Sequence, residues 1–228
     1  MGVGERYLRV CAEAADIAMQ AGRNPNTVRV IAVSKTVEAP AVGDAMNAAC
    51  RDFGENRPDD LLRKYAVYPL ATWHFIGNIQ SRRIDDIALC ATYVHSLYQL
   101  KHAQKLSRCC EELGKTMKVL VEVNVSGEQS KSGLAPDDVC AFIDECLCLP
   151  NLQMAGLMTM APQGDLAVAR ECFAGLRELH RRIGLQLPAA HADAFCELSM
   201  GMSEDWREAV REGATMIRIG RAIFSEDF

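Results

Sequence analysis

The chain has 228 residues, 49% hydrophobic and 24% charged, with a formal net charge of −5 and ten cysteines. This is ample length to bury one large core, and the acidic balance argues against a nucleic-acid partner, which needs a basic face. No run approaches the ~20 apolar residues of a membrane helix, and cysteines without paired CxxC knuckles or a secretion signal read as reduced, mostly buried thiols of a cytoplasmic protein, neither disulfides nor metal ligands.

In chain order, an amphipathic helix carrying Glu5, Arg6 and Arg9 spans about 3–21 and stops at Gly22, a usual residue just past a helix end. The first strand is Val28-Arg29-Val30-Ile31-Ala32-Val33-Ser34, followed by Lys35. Pro40 opens a helix to about Cys50. Arg51 to Gly54 form a short second strand, and helical pattern follows to about Tyr65. Trp73 to Ile76 are the third strand, with a helix near 82–90. Thr92 to Ser96 are the fourth, with a helix to about Leu113. The fifth, Lys118 to Asn124, is the clearest. A polar loop, VSGEQSKSGLAP, then leads to a helix ending near Leu147. Leu152 to Met158 are the sixth strand, and a long helix covers about 165–183. Phe195 to Ser199 are the seventh, Ser203 caps a helix to about Arg211, and Met216 to Ile219 are the eighth.

Alternating strands and helices with short connections predict a parallel sheet with right-handed crossovers. Eight such units close into a single (β/α)₈ TIM-type barrel, one domain over residues 1–228. A doubly wound open sheet is the alternative, because periodicity does not reveal closure.

In a barrel the chemistry collects where strands end. After the seventh strand comes SMGMS, Ser199 to Ser203, and after the eighth Arg218-Ile219-Gly220-Arg221. Glycine turns at these two strand ends suit a phosphate, through backbone N–H groups and the Ser199 hydroxyl; ordinary turn glycines and a helix cap are the alternative. Alternation puts Ile31, Val33 and Lys35 on one side of the first strand. If that side faces the axis, a desolvated Lys35 amine becomes a nucleophile toward aldehydes; otherwise it escapes to solvent. A lysine on strand one beside a phosphate cradle on strands seven and eight suits a molecule carrying both an aldehyde and a phosphate, pyridoxal 5′-phosphate (PLP). Lys131 and Glu128, in the loop after the fifth strand, read as solvated.

These residues resemble the pyridoxal phosphate homeostasis proteins, single-domain relatives of the alanine racemase barrel (the fold type III PLP proteins). The resemblance runs through IAVSKT at Lys35, FGEN at Phe53 to Asn56, HFIGNIQS at His74 to Ser81 and VHS at Val94 to Ser96. It continues through VEVNVSGEQSKSGL from Val121, GLMTMAP from Gly156, LSMGMSEDW from Leu198 and RIGRAIF from Arg218. It implies that Lys35 forms the internal aldimine, that Ser199 and the backbone near Gly220 and Arg221 hold the phosphate, that Arg218 faces the pyridine nitrogen, and that Asn56 lies near the cofactor. The chain departs from the family pattern at Arg57-Pro58-Asp59-Asp60, at Arg82-Arg83 and at Ser225, which bears on peripheral contacts, including any secondary PLP-transfer site near residues 57–83.

Two functions follow. One is a PLP carrier and regulator of vitamin B6 homeostasis, monomeric, without catalytic residues or a membrane, passing PLP to PLP-dependent apoenzymes. The other is an amino-acid racemase, which needs a second acid/base. His74 and Tyr98 are the candidates for that role, against plain packing or a satisfied hydrogen bond for each. A barrel enzyme acting on a phosphorylated metabolite without PLP is a third possibility. The carrier is the favoured expectation.

Overall fold

The structure is a computed structural model and describes residues 1–128 and 131–228; Gln129 and Ser130 of the polar loop lie outside the described residues. Eight parallel strands close into a barrel in chain order. They are β1 (Arg29–Val33), β2 (Asp52–Glu55), β3 (Thr72–Phe75), β4 (Tyr93–Leu97), β5 (Met117–Glu122), β6 (Leu152–Met158), β7 (Glu197–Ser199) and β8 (Met216–Ile219). The helices are α1 (Val3–Gln20), α2 (Ala39–Asn47), α3 (Pro58–Val67), α4 (Ile84–Cys90), α5 (Leu100–Glu112), α6 (Val139–Leu147), α7 (Leu166–Gly184), α8 (Ala189–Ala192), α9 (Trp206–Arg211) and α10 (Arg221–Phe224). The open-sheet alternative is excluded by the seam, where Ile31 lies opposite Arg218 and Ala32 opposite Ile219.

Strand alternation divides the core in two. Val30, Ala32, Phe53, Trp73, Val94, Val119, Leu157 and Ile217 point outward and join the buried faces of the helices. In α7 those are Ala169, Cys172, Phe173, Leu176, Leu179 and Ile183, a three-and-four spacing on one stripe. Each such fully buried Leu or Phe contributes about 1.5–3 kcal/mol. Asp165 starts this helix by accepting from the N–H groups of Ala167 (2.8 Å) and Val168 (3.2 Å). Inside the barrel a smaller apolar set, Ile31, Tyr93, Leu120, Ala155, Met158 and Met216, shares the space with polar side chains.

Several boundaries differ from the sequence expectation. β5 stops at Glu122 because Asn124 turns the chain: its Oδ1 accepts from Ser126 Oγ and from the N–H of Gly127, both at 3.1 Å. Ser203 does not cap α9. Asp205 occupies that position and accepts from the N–H of Met202 at 2.6 Å, while Ser203 Oγ accepts from the N–H of Ala222 at 3.5 Å. The one-turn helices α8 and α10 are too short for periodicity to reveal. No described helix is long and apolar enough to cross a membrane.

Candidate functional site at the barrel mouth

A cavity of about 750 Å³ opens at the C-terminal ends of the strands, within the range of small-molecule sites. Lys35, Asn56, Arg218, Gly220 and Arg221 all line it. They come from β1, β2 and β8, and pairing across the seam is what brings them together.

Lys35 departs from the expectation of a desolvated amine. β1 ends at Val33, and Lys35 sits exposed in the following turn, facing the cavity from its rim. A buried ion pair anchors this turn from behind. Lys64 of α3 donates to the Ser34 carbonyl (2.7 Å) and to Glu55 Oε1 (2.5 Å), and Ser34 Oγ donates to the same carboxylate oxygen (2.6 Å). Lys64 and Glu55 are essentially fully buried. The peptide immediately before Lys35 is thus held by charge-assisted bonds, while the amine has no hydrogen-bond partner among the described residues.

Ser199 is placed differently from the expected phosphate contact. It is fully buried, does not line the cavity, and its hydroxyl bonds Arg218 Nη1 (2.7 Å) and His95 Nδ1 (2.8 Å). The reason is pleat direction: Ser199 is the last residue of β7 and points into the barrel, below the turn that follows. Met202, Ser203 and Asp205 of that turn border the cavity instead. Gly201 makes the turn possible, with φ +91° and no room for a Cβ, which would come within 2.6 Å of the Ala209 side chain and 2.8 Å of the Trp206 backbone. Gly77, beside Asn56 on the wall, is equally constrained: its Cβ would fall 2.1 Å from the Asn56 carbonyl oxygen.

Arg218 forms the buried floor. Nη1 donates to Ser199 and Nη2 to the Thr159 carbonyl at 3.0 Å. Burial pulls its pKa down to about 10, opposed by Asp205 and Glu122, so it remains a cation at neutral pH. Burial raises the pKa values of Glu122 and Asp205 in turn, and the Arg218 charge partly offsets this. Arg221 stays at the rim, where Nη2 pairs with Glu204 Oε1 at 2.7 Å, so what this position offers the cavity is backbone more than guanidinium. Ser203 belongs to the SMGMS turn expected to hold a phosphate, whereas Glu122 and Asp205 carry no expectation from the sequence; Glu122 ends β5 and falls under the same strand-end rule as Lys35.

His74 and Tyr98, the sequence candidates for a second acid/base, do not line the cavity. His74 is buried within the barrel and bonds Asp52 and His95. Lys131 is only partly solvated and reaches the Ala161 carbonyl at 3.4 Å. Two of the departures from the family pattern meet on the surface: Arg83 pairs with Asp59 at 2.5 Å and with Asp86 at 2.5 Å.

The profile of the alanine racemase N-terminal domain matches residues 14–227. The pyridoxal phosphate homeostasis protein of Pseudomonas aeruginosa is 44% identical over 226 residues, covering 97% of this chain and 94% of that protein. PipY of Synechococcus elongatus, solved without PLP, superposes with a TM-score of 0.86 at 33% identity, covering 98% of this chain and 100% of that one. The same protein with PLP bound superposes with a TM-score of 0.83 at 32% identity, over the same shares of the two chains. A parallel barrel with a strand-one lysine at its mouth is therefore of the alanine racemase N-terminal class. Within that class the chain belongs to the pyridoxal phosphate homeostasis protein family.

Proposed function

We propose that the protein binds PLP and acts as a carrier that regulates its free concentration, without robust turnover, as one barrel domain over the whole chain. The observation that supports it best is the convergence of an exposed strand-one lysine, a buried arginine and the turns after β7 and β8 on one cavity of about 750 Å³. Lys35 holds the aldehyde end through a Schiff base. The backbone at Gly220 and Arg221, with Met202 and Ser203, takes the phosphate; Ser199 contributes by holding Arg218. Asn56 flanks the ring. Bound PLP would supply an electron sink, and Arg218, a cation at neutral pH, would disfavour at the ring nitrogen the pyridinium form that makes that sink strong.

The alternative, a racemase, needs a second acid/base over the cofactor. Among the described residues lining the cavity none is a histidine, tyrosine or cysteine, and the buried carboxyls Glu122 and Asp205 sit near Arg218, whose charge they balance. The carrier reading extends to a cytoplasmic monomer that delivers PLP to apoenzymes, in keeping with ten unpaired cysteines.

The test has two arms. Purified protein incubated with PLP and reduced with borohydride should carry one adduct on Lys35, located by peptide mass spectrometry. Exchange of the amino-acid α-hydrogen in deuterated water, across an amino-acid panel, should stay far below ordinary turnover of about 10 s⁻¹; exchange near that rate would establish the racemase instead.

A further inference from the structure

A line of hydrogen bonds runs down the barrel interior from the cavity floor to the opposite end. Arg218 Nη1 meets Ser199 Oγ at 2.7 Å, and Ser199 Oγ meets His95 Nδ1 at 2.8 Å. His95 Nε2 meets His74 Nδ1 at 2.9 Å, and His74 Nε2 meets Asp52 Oδ1 at 3.0 Å. The side chains come from β8, β7, β4, β3 and β2. Ser199, His95 and His74 are completely buried, whereas Asp52 borders a second cavity at the lower end.

With both rings neutral and Asp52 ionised, one assignment of protons satisfies every link. Arginine has donors and no acceptor, so Ser199 Oγ accepts from Arg218, and its own hydrogen finds its acceptor on His95 Nδ1. His95 then carries its single proton on Nε2 and donates to His74 Nδ1. His74 carries its proton on Nε2 and donates to the Asp52 carboxylate. A second proton on either ring would set two donors face to face or leave the buried Ser199 hydroxyl hydrogen without its acceptor on His95. Burial disfavours both charged rings, reinforced at His95 by its positive neighbours and opposed at His74 by the Asp52 carboxylate. The lower end is locked as well. Tyr93 stacks on His74 with centroids 4.6 Å apart and planes 9° apart. Its hydroxyl accepts from Arg29 (3.1 Å) and Lys118 (3.2 Å), and Arg29 also lies 3.7 Å from Asp52.

A cation at one end and an anion at the other thus polarise a chain of neutral groups in one direction. We infer that Asp52, His74, His95 and Ser199 are positioning residues: their line holds the Arg218 guanidinium in one rotation, with the remainder of its charge presented to the cavity floor. The inference rests on the PLP reading only for what Arg218 faces; the line itself is a property of the ligand-free protein.

Two measurements test it. Ring-nitrogen NMR of the ligand-free, ¹⁵N-labelled protein at neutral pH should find both His74 and His95 neutral and protonated on Nε2. A Nδ1 proton or a charged ring at either position overturns the inference, whether or not PLP binds. In the second, His95→Phe removes the acceptor for Ser199, and PLP titrated into this variant should bind about tenfold more weakly, the scale of one lost bond to a charged group. Its absorption spectrum should shift while borohydride still traps PLP on Lys35. His95→Asn, which can still accept from Ser199, should recover part of the affinity. Asp52→Ala, remote from the cavity, should weaken PLP binding a few-fold. A folded His95→Phe variant with the affinity and spectrum of the unmodified protein would overturn the assignment. Should the unmodified protein fail to bind PLP, the proposed function falls while the NMR result still decides the line.

Discussion

The two ends of the barrel carry comparable charge and use it differently. At the lower end Arg29 lies between Asp52 and Glu197, at 3.7 and 3.6 Å, and Tyr93 takes hydrogen bonds from both Arg29 and Lys118. Charge there is answered by neighbouring charge. At the upper end Lys35, Arg218, Glu122 and Asp205 surround open space. Two lysines that meet at the turn after β1 make the same contrast. Lys64 is buried against Glu55 and holds the chain, whereas Lys35 is exposed at the cavity rim. At the lower end the charges meet in direct contact, whereas at the mouth Glu122 and Asp205 balance Arg218 around a cavity that Lys35 also borders.

The largest expected effect separates these two lysines by function. Lys35→Ala should abolish the borohydride-trapped PLP adduct and leave the thermal midpoint nearly unchanged, because the lost side chain is exposed. An adduct of undiminished yield on another lysine would break the comparison. Lys64→Ala should do the reverse in kind: it leaves Glu55 buried without its cation and should cost about 3–5 kcal/mol in urea unfolding. Lys64→Met combined with Glu55→Leu should restore most of that, since the charge left behind is what costs.

The pH dependence of stability probes the buried polar groups. Burial holds His74 and His95 below the usual histidine pKa of 6.5 and takes His180, stacked on Phe195, to about 4. In the unfolded chain these rings titrate near 6.5, so below that pH the unfolded state binds more protons and acid favours it. Their stabilising share is whole above pH 6.5 and drains as pH falls, for His180 down to about 4, with a limiting slope of about 1.4 kcal/mol per pH unit per histidine. Glu122 and Asp205, raised by burial, act with the opposite sign as acid protonates them. Urea midpoints measured from about pH 7.5 to about pH 5 should fall, and His180→Phe should flatten the curve. A profile that His180→Phe leaves unchanged would show that this ring is not held neutral in the folded chain. The smallest effect belongs to the surface pair: Asp59→Asn should leave the thermal midpoint within experimental error, because exposed ion pairs are screened by water and salt.

The extent to which the site was legible follows from how each residue acts. That Lys35, Asn56, Gly220 and Arg221 line the cavity was readable because a residue at or just past a strand end reaches the mouth by its own backbone. Arg218 was readable for the same reason, although its floor position depends on partners from β6 and β7. Ser199 misled because a serine beside glycines reads alike whether its hydroxyl rises into the mouth or bonds an arginine beneath it. His74 and His95 lie 21 residues apart in sequence, and their 2.9 Å contact is set by how adjacent strands register. Ser203 misled because a cap is a local expectation, and Asp205 two residues on competed for the same place.

By itself the sequence determined the eight strands, the helices between them, their parallel order and the lysine just past the first strand, since periodicity and chain direction are local properties that each segment carries alone. Tertiary structure decided which polar groups answer one another inside the barrel: the Lys64–Glu55 anchor, the buried Ser199 and the hydrogen-bonded line to Asp52. Those contacts join side chains from different strands, and their partners exist only once the first and last strands have closed the ring.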